Sequence, residues 1–382
     1  MSSQTSILQN KPSSIWLVLS FLVAAISIYG MINVFNYGQE ESYGISREVP
    51  WGILIIGYSF LVGISAGSAV IGSLAHVFKV SAFHVMSKRV ALISLATLVG
   101  AFFIIFWELA GPYQLQTLRL LKYYTNFEIT SPIWWMVTLY MIELPLLAIE
   151  VYFLLGKKHE SAFFASLIGL FLGVVAYSTL AFVFASNATR PLWHTTSFSL
   201  FFLISATASG AAVVLMMIFL SGKGTALREN VSALSKMLFL ALCIMFFIDT
   251  WNVFLNTYGV ESELDATMKL FIGDGVMANN FYYFELLLGI IVPMILLVAS
   301  GFKSAFFSAL AGLSMLIGVF FSRFDTIIGG QLLSRPSSQM DFVLNHYEVS
   351  NTELSIFIGG LGVAAIVFFL GEKFFDLEEE TH

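Results

Sequence analysis

The sequence predicts an all-α integral membrane protein with ten transmembrane helices: two parallel-repeat four-helix bundles plus flanking first and last helices. Three observations carry that reading. Of 382 residues, 58% are hydrophobic and only 11% charged, against about 25% charged in a soluble domain; mean hydropathy is +0.86. Ten segments each bring the roughly 20 apolar residues that a helix needs to cross a bilayer. They are 14–35, 51–75, 89–111, 131–155, 161–187, 192–220, 231–257, 276–301, 304–327 and 352–372. Finally, the second and sixth segments repeat: YSFLVGISAGSAVIG and FLISATASGAAVVLM align Gly67 with Gly210, Ala69 with Ala212 and Val70 with Val213, at an offset of 143.

Residues 1–13 are polar and run into the first span without a small-residue cleavage site, as a cytoplasmic tail does and a cleaved signal does not. Residues 14–50 supply the first span and a loop. Residues 51–190 form the first bundle and 191–330 the second, and each opens near a Pro and a Trp: Pro50-Trp51, then Pro191-Leu192-Trp193. Four helices separate the repeats, so both keep one orientation. The small residues of GISAGS and SATASGAA let helices approach closely, and packing alone accounts for them. Residues 331–372 give a loop and the last span, and 373–382 a second cytoplasmic tail.

Basic residues set the orientation. Lys11, Lys79, Lys88, Arg89, Lys157, Lys158, Lys223, Arg228, Lys236, Lys303 and Lys373 fall on one side. Arg47, Arg119, Lys122, Arg190, Lys269 and Arg335, with Arg323 near them, fall on the other: eleven against seven. Both termini are therefore expected in the cytoplasm, with the chain in the cytoplasmic (inner) membrane. The longer loops, 36–50, 112–130, 258–275 and 328–351, face outward, either as a docking surface or as solvated connectors.

A charge at mid-span costs about 2.5–3.5 kcal/mol on insertion scales, so each buried one asks for a role. The topology puts Glu108 near the outer end of the third span, Asp249 and Glu285 in the outer halves of the seventh and eighth, and Arg323 in the outer third of the ninth. Tyr58 and Tyr177 lie at similar depth, and His194 at the outer start of the sixth span. Interface placement, snorkelling and a structural Asp249–Arg323 pair would explain members singly; together they suggest one outer-half polar site. Asp325, two residues from Arg323, does not share its face, so Asp249 or Glu285 is the expected partner of the arginine. Glu143 and Glu150 are seven apart, on one face of the fourth helix. They suggest a proton path from the cytoplasm to mid-membrane, with Pro145 freeing a carbonyl nearby; alternatively Glu150 reaches the interface beside Lys157 and Lys158.

The same counting bounds the chemistry. One cysteine, Cys243, can neither close a disulfide within the chain nor hold an iron–sulfur cluster. Of six histidines, His76, His84, His159, His194, His346 and His382, only His76 and His194 fall in spans, at opposite ends. A bis-histidine haem is not expected, and no metal-ligand cluster or Gly-rich phosphate loop appears. Membrane lipid, and no nucleic acid, is the expected surrounding.

Several segments in order resemble the NrfD/PsrC family, the membrane subunits of polysulfide reductase and its relatives. They are PWGILIIGYSFLVGISAGS, WELAGP, TSPIWWMVTLYMIE, AYSTLAF, RPLWHTTSFSLFFLISATASGAA, YFELLLGIIVP, IGVFFSRFDTIIGGQ and YEVSNTELSIFIG. The chain looks most like the long ten-span branch, which includes membrane subunits of uptake hydrogenases and of alternative complex III. Ala110-Gly111 stands where the family has Gly-Arg, and Ser178-Thr179 where it has Thr-Gly. The resemblance implies a subunit that binds a quinone (menaquinone or ubiquinone) in the first bundle on the outer side. It implies electron exchange with an extracytoplasmic, ferredoxin-like iron–sulfur subunit and, beyond it, a molybdopterin catalytic subunit, with no haem or cluster in this chain. By motif, Tyr177 matches the tyrosine near the quinone, Glu108 the acid ending the third span, Glu150 an acid implicated in proton movement, and Arg323 the second-bundle arginine. Tyr58, His194, Glu143, Asp249 and Glu285 join the candidate set by depth. A secondary transporter, which also has repeats and buried acids, and a passive anchor are the competing readings.

Overall fold

In the computed structural model, ten helices are long and apolar enough to cross a membrane. The structure describes residues 14–109, 125, 127–187, 189, 190, 192–194, 197–222, 224–258, 268–334 and 343–377. Ala110-Gly111, both terminal tails beyond these limits, the central parts of three long loops, and Lys11, Arg119, Lys122, Lys223 and Arg335 lie outside the described residues.

The spans are α1 Ser14–Tyr37, α2 Ile53–His76, α3 Ser87–Leu109, α4 Pro132–Leu155, α5 His159–Ala185, α6 Phe198–Leu220, α7 Arg228–Tyr258, α8 Asn280–Ala299, α9 Ala305–Leu332 and α10 Asn351–Phe374. Their starts follow local chemistry. Ser131 caps α4 through the Trp134 amide with Pro132 in the first turn, and Ser304 caps α9. Ser350 and Glu353 form a reciprocal capping box on α10. The sixth span begins six residues later than its apolar run, because Trp193 is held in a turn: its amide bonds Arg190 O and its indole N–H donates to Thr326 O at 2.7 Å. The first part of α8, Asn280–Ile291, is a π-helix. A two-residue antiparallel ribbon, β1 Leu333–Ser334 with β2 Val343–Leu344, follows α9.

With ten spans in alternation, the start of α1 and the end of α10 lie at one end of the molecule, here the termini end; the opposite end is here the loop end. Helices α2–α5 close a ring of neighbours, and α6–α9 close a second. The rings meet where α2 packs on α6 and α9, and α5 on α6. Helix α10 packs on α3 and α2, and α1 rests mainly on α10, with most of its surface exposed.

Repeat-equivalent residues meet across this junction. A Cβ on Gly67 would strike the backbone of Ala206 and Gly210, and one on Gly210 would strike Gly67. The two opening tryptophans, Trp51 and Trp193, stack with centroids 5.2 Å apart. Gln331 clamps the same place, accepting from Trp51 N at 3.0 Å and donating to Trp51 O at 3.0 Å. Like residues facing like define a local two-fold axis along the helices, as a parallel repeat requires.

Candidate functional site

The inner face of α4 carries Tyr140, Glu143, Leu147 and Glu150, all buried, at the three- and four-residue steps that keep side chains on one side of a helix. Opposite them α5 presents Ser166, Gly169, Gly173 and Tyr177. Glu150 accepts the Ser166 hydroxyl at 2.5 Å. Glu143 fits against Gly173, where a Cβ would stand 3.0 Å from Oε1. Its Oε2 and the Tyr140 hydroxyl are buried without hydrogen-bond partners. The Tyr58 ring meets Tyr140 edge-on at 6.2 Å, and Glu143 and Tyr177 lie within electrostatic reach of it. Tyr177, 1% exposed, donates to Ser59 O across 3.4 Å, a long and weak bond. A Cβ on Gly63 would stand 2.6 Å from its hydroxyl oxygen.

Arg323 comes from the second bundle to meet this group. Its Nη2 donates to the Tyr177 hydroxyl at 3.2 Å and to Ser205 Oγ. Its guanidinium lies 3.6 Å from the centroid of the Phe202 ring, a cation–π contact. The sequence favours Asp249 or Glu285 as its partner, but among the described residues neither forms an ion pair with it. Both act on Arg323 through the field alone, while Nε and Nη1 are buried without partners.

Asp249 and Glu285 instead line a cavity of about 110 Å³ in the second bundle, together with Asp325 of α9, Ser197, Asn252 and a wall of phenylalanines. Asp249 Oδ2 and both carboxyl oxygens of Asp325 have no partner in hydrogen-bond geometry, although the Asn280 side chain lies near enough to act on Asp325. Glu285 stands 142 residues after Glu143, one short of the repeat offset, so the two acids hold neighbouring rather than identical positions in the repeat.

Two candidates stand apart. Glu108 closes α3 against the start of α10, near Tyr43, Tyr347 and Glu353. Its Oε2 is unpartnered, whereas Glu353 accepts from Gly44 N at 2.8 Å, Ser350 N at 3.1 Å and Tyr347 OH at 3.0 Å. Burial pushes the Tyr43 and Tyr347 phenols up, and the nearby acids add to it, so both hold their protons. His194 is exposed at the loop end, its ring nitrogen 2.8 Å from Ala185 O. The structure thus joins Tyr58, Glu143, Tyr177 and Arg323, gathers Asp249 and Glu285 at a separate cavity, and places Glu150 toward the termini end. Sequence reasoning passed over Tyr140, Ser166, Ser205 and Glu353, and set Asp325 aside as a partner of Arg323. Tyr140 carried a signal, three residues before Glu143 on its face.

Residues 41–334 match the family described as polysulphide reductase, NrfD. The chain belongs to this family. NrfD relatives of full length include the Hdr-like menaquinol oxidoreductase integral membrane subunit of Archaeoglobus fulgidus, 24% identical over 96% of this chain and 94% of the relative. A selenate reductase subunit of Mesobacillus selenatarsenatis is 22% identical over 96% and 95%. A putative dimethyl sulfoxide reductase membrane subunit of Halobacterium salinarum is 21% identical over 75% and 70%. Among the described residues of this NrfD chain, no group of three or more His, Cys, Asp or Glu is arranged to hold a metal ion.

Proposed function

We propose that this chain is the quinone-reactive membrane subunit of a multi-subunit respiratory oxidoreductase. Its site is the Tyr58–Tyr140–Glu143–Tyr177 group of the first bundle. One observation carries the reading. Tyr140 offers an unpartnered hydroxyl and Glu143 an unpartnered carboxyl oxygen in a fully buried aromatic setting, beside a tyrosine whose own O–H bond is long. Orphaned buried polar groups are costly, and a quinone carbonyl would accept from the Tyr140 phenol and from Glu143 when that carboxyl is protonated. Apolar walls with a few placed polar groups are the ordinary makeup of such sites. The names of the relatives support the same class: a menaquinol oxidoreductase and two reductases, each matched through one subunit.

A bound quinone supplies two-electron, two-proton chemistry. The residues here supply the rest. Tyr177, whose O–H is held only by the long bond to Ser59 O, can turn that O–H to a quinone carbonyl while Arg323 donates to its phenol oxygen. Tyr140 offers a second donor. Glu143 exchanges a proton at its free Oε2. Glu150 stands two turns toward the termini end, about 10 Å along the helix axis, so water must bridge the two acids. With the termini cytoplasmic, that route draws protons from the cytoplasm and makes turnover electrogenic. Glu108 at the loop end, and Asp249 with Glu285 in the second bundle, serve the outer proton exit. Electrons pass to or from an extracytoplasmic iron–sulfur subunit docked at the loop end, with a molybdopterin catalytic subunit beyond it. Menaquinone is the quinone we favour, from the Archaeoglobus relative's name.

The test is Tyr177→Phe and Glu143→Gln in the assembled complex. Removing a donor or a proton-exchanging acid lowers quinone-linked turnover by about 10²-fold where it acts in the rate-limiting step. Normal turnover in both variants, with the complex intact, sinks the proposed site.

A further inference from the structure

We infer that the second-bundle cavity is a proton-holding site built from Asp249, Glu285 and Asp325, and that Arg323 couples its charge to Tyr177. The inference rests on the quinone reading for the meaning of the coupling, but not for the existence of the site.

The cavity of about 110 Å³ has room for several waters. Three carboxyl groups from three helices face it, and three of their oxygens are buried with no partner in hydrogen-bond geometry. Asp325 is 2% exposed; it caps no helix and joins no ion pair among the described residues. A metal cation is the weaker occupant. No group of three or more acids is arranged to ligate one among the described residues, and phenylalanines form much of the wall. Water and protons need no such convergence.

Electroneutrality fixes the stoichiometry. Among the described residues, the charged or titratable groups facing the cluster are Arg323 from α9 and, beyond it, Tyr177 from α5. The α6 face contributes Ser205 and the rings of Phe201 and Phe202. One guanidinium balances one carboxylate. Ionising all three acids would leave two buried charges uncompensated, at a cost that buried sites avoid by holding protons. The cluster therefore stores protons as O–H on carboxyl oxygens and exchanges them with cavity water; no other bond is made or broken. Arg323 is the shared element. Its Nη2 is spent on Tyr177 and Ser205, while Nε and Nη1 remain free. A further negative charge in the cavity draws the guanidinium toward it and loosens its hold on Tyr177. A proton taken up does the reverse.

The test is infrared difference spectroscopy of the complex in lipid during a static pH change, with no quinone turnover. Wild type is expected to show a protonated-carboxyl C=O band that Asp325→Asn removes in part and Asp325→Glu restores at a shifted frequency. A spectrum identical in wild type and Asp325→Asn overturns the site. A band that responds to sodium at constant pH also overturns it, in favour of a cation. The second readout is the coupling. Arg323→Lys, which keeps the charge but loses the fork, should lower charge moved per electron while the carboxyl band persists. An unchanged ratio overturns the coupling. If instead Tyr177→Phe leaves turnover normal while the carboxyl band stands, the quinone reading fails and the proton site survives.

Discussion

The two bundles are one scaffold used twice, with opposite answers to the same problem of polar groups in lipid. In the first, each polar side chain has its own slot: Glu143 against Gly173, Glu150 on the Ser166 hydroxyl, Tyr177 against Gly63. In the second, three acids gather round one cavity, and the nearby Arg323 bonds instead to Tyr177 of the first bundle. Nearly equivalent positions make the contrast sharp. Glu143 answers to Glu285, and Tyr177 lies near the position of Arg323 in the repeat. The repeat supplies where a polar residue can stand; its identity then decides whether that half offers neutral donors, suited to a carbonyl ligand, or charge, suited to protons. The meeting of Tyr177 and Arg323 across the axis joins the two halves.

The largest effect should come from breaking the axis itself. Gly67→Val places a branched side chain into the backbone of α6 at Ala206 and Gly210. Backbone there has no rotamer to yield. Overpacking of this kind costs about 1–3 kcal/mol, and more where nothing can move. We expect the assembled complex to be lost or to melt well below wild type in detergent, with both bundles affected alike. A variant that assembles and melts normally would show that the crossing is looser than the structure has it.

Next come paired substitutions of the nearly equivalent acids. Glu143→Gln should lower quinone-linked turnover by about 10- to 100-fold, as loss of a positioned proton carrier does. Glu285→Gln should chiefly lower charge moved per electron, with a smaller fall in turnover. Glu150→Gln should resemble Glu285→Gln in this respect. Turnover and charge ratio measured together in proteoliposomes separate the cases. Equal losses of turnover in Glu143→Gln and Glu285→Gln would mean that the bundles are not specialised as proposed.

Much of the scaffold was legible in the sequence, because lipid enforces it. Backbone groups in hydrocarbon must be paired within a helix, so apolar length alone located ten spans. The two-bundle grouping came from Gly67 and Gly210, whose close approach leaves a mark at fixed spacing. Trp193 was less legible: its apolar neighbours continue the run of α6, and only its bonds to Arg190 O and Thr326 O hold it in a turn. Depth found the acids but not their neighbours. Asp325 was set aside because it does not share a face with Arg323, which is true and beside the point, since the cavity lies on Asp325's own face. Glu353 was invisible because its signal is a capping box at a helix start, an ordinary structural device that here also buries a carboxylate near Glu108.

The smallest effect tests the first bundle's slots at the finest grain. Gly173 and Gly169 lie one turn apart on α5, and both face an acid of α4. A Cβ at Gly173 would stand 3.0 Å from Glu143 Oε1, tighter than ordinary contact, whereas at Gly169 it would stand 3.5 Å from Glu150 Oε2, which is ordinary contact. Both alanines gain the same helix propensity, about 1 kcal/mol over glycine, so any shared benefit cancels. Gly173→Ala must displace the Glu143 carboxyl by a few tenths of an ångström, and turnover should fall by about two- to fivefold, a small share of what a positioned acid contributes. Gly169→Ala should leave both turnover and charge ratio at wild-type values. A fall confined to Gly169→Ala, or equal in the two, would show that the Glu143 carboxyl does not sit against α5, and the first bundle would lose the slot that distinguishes it from the second.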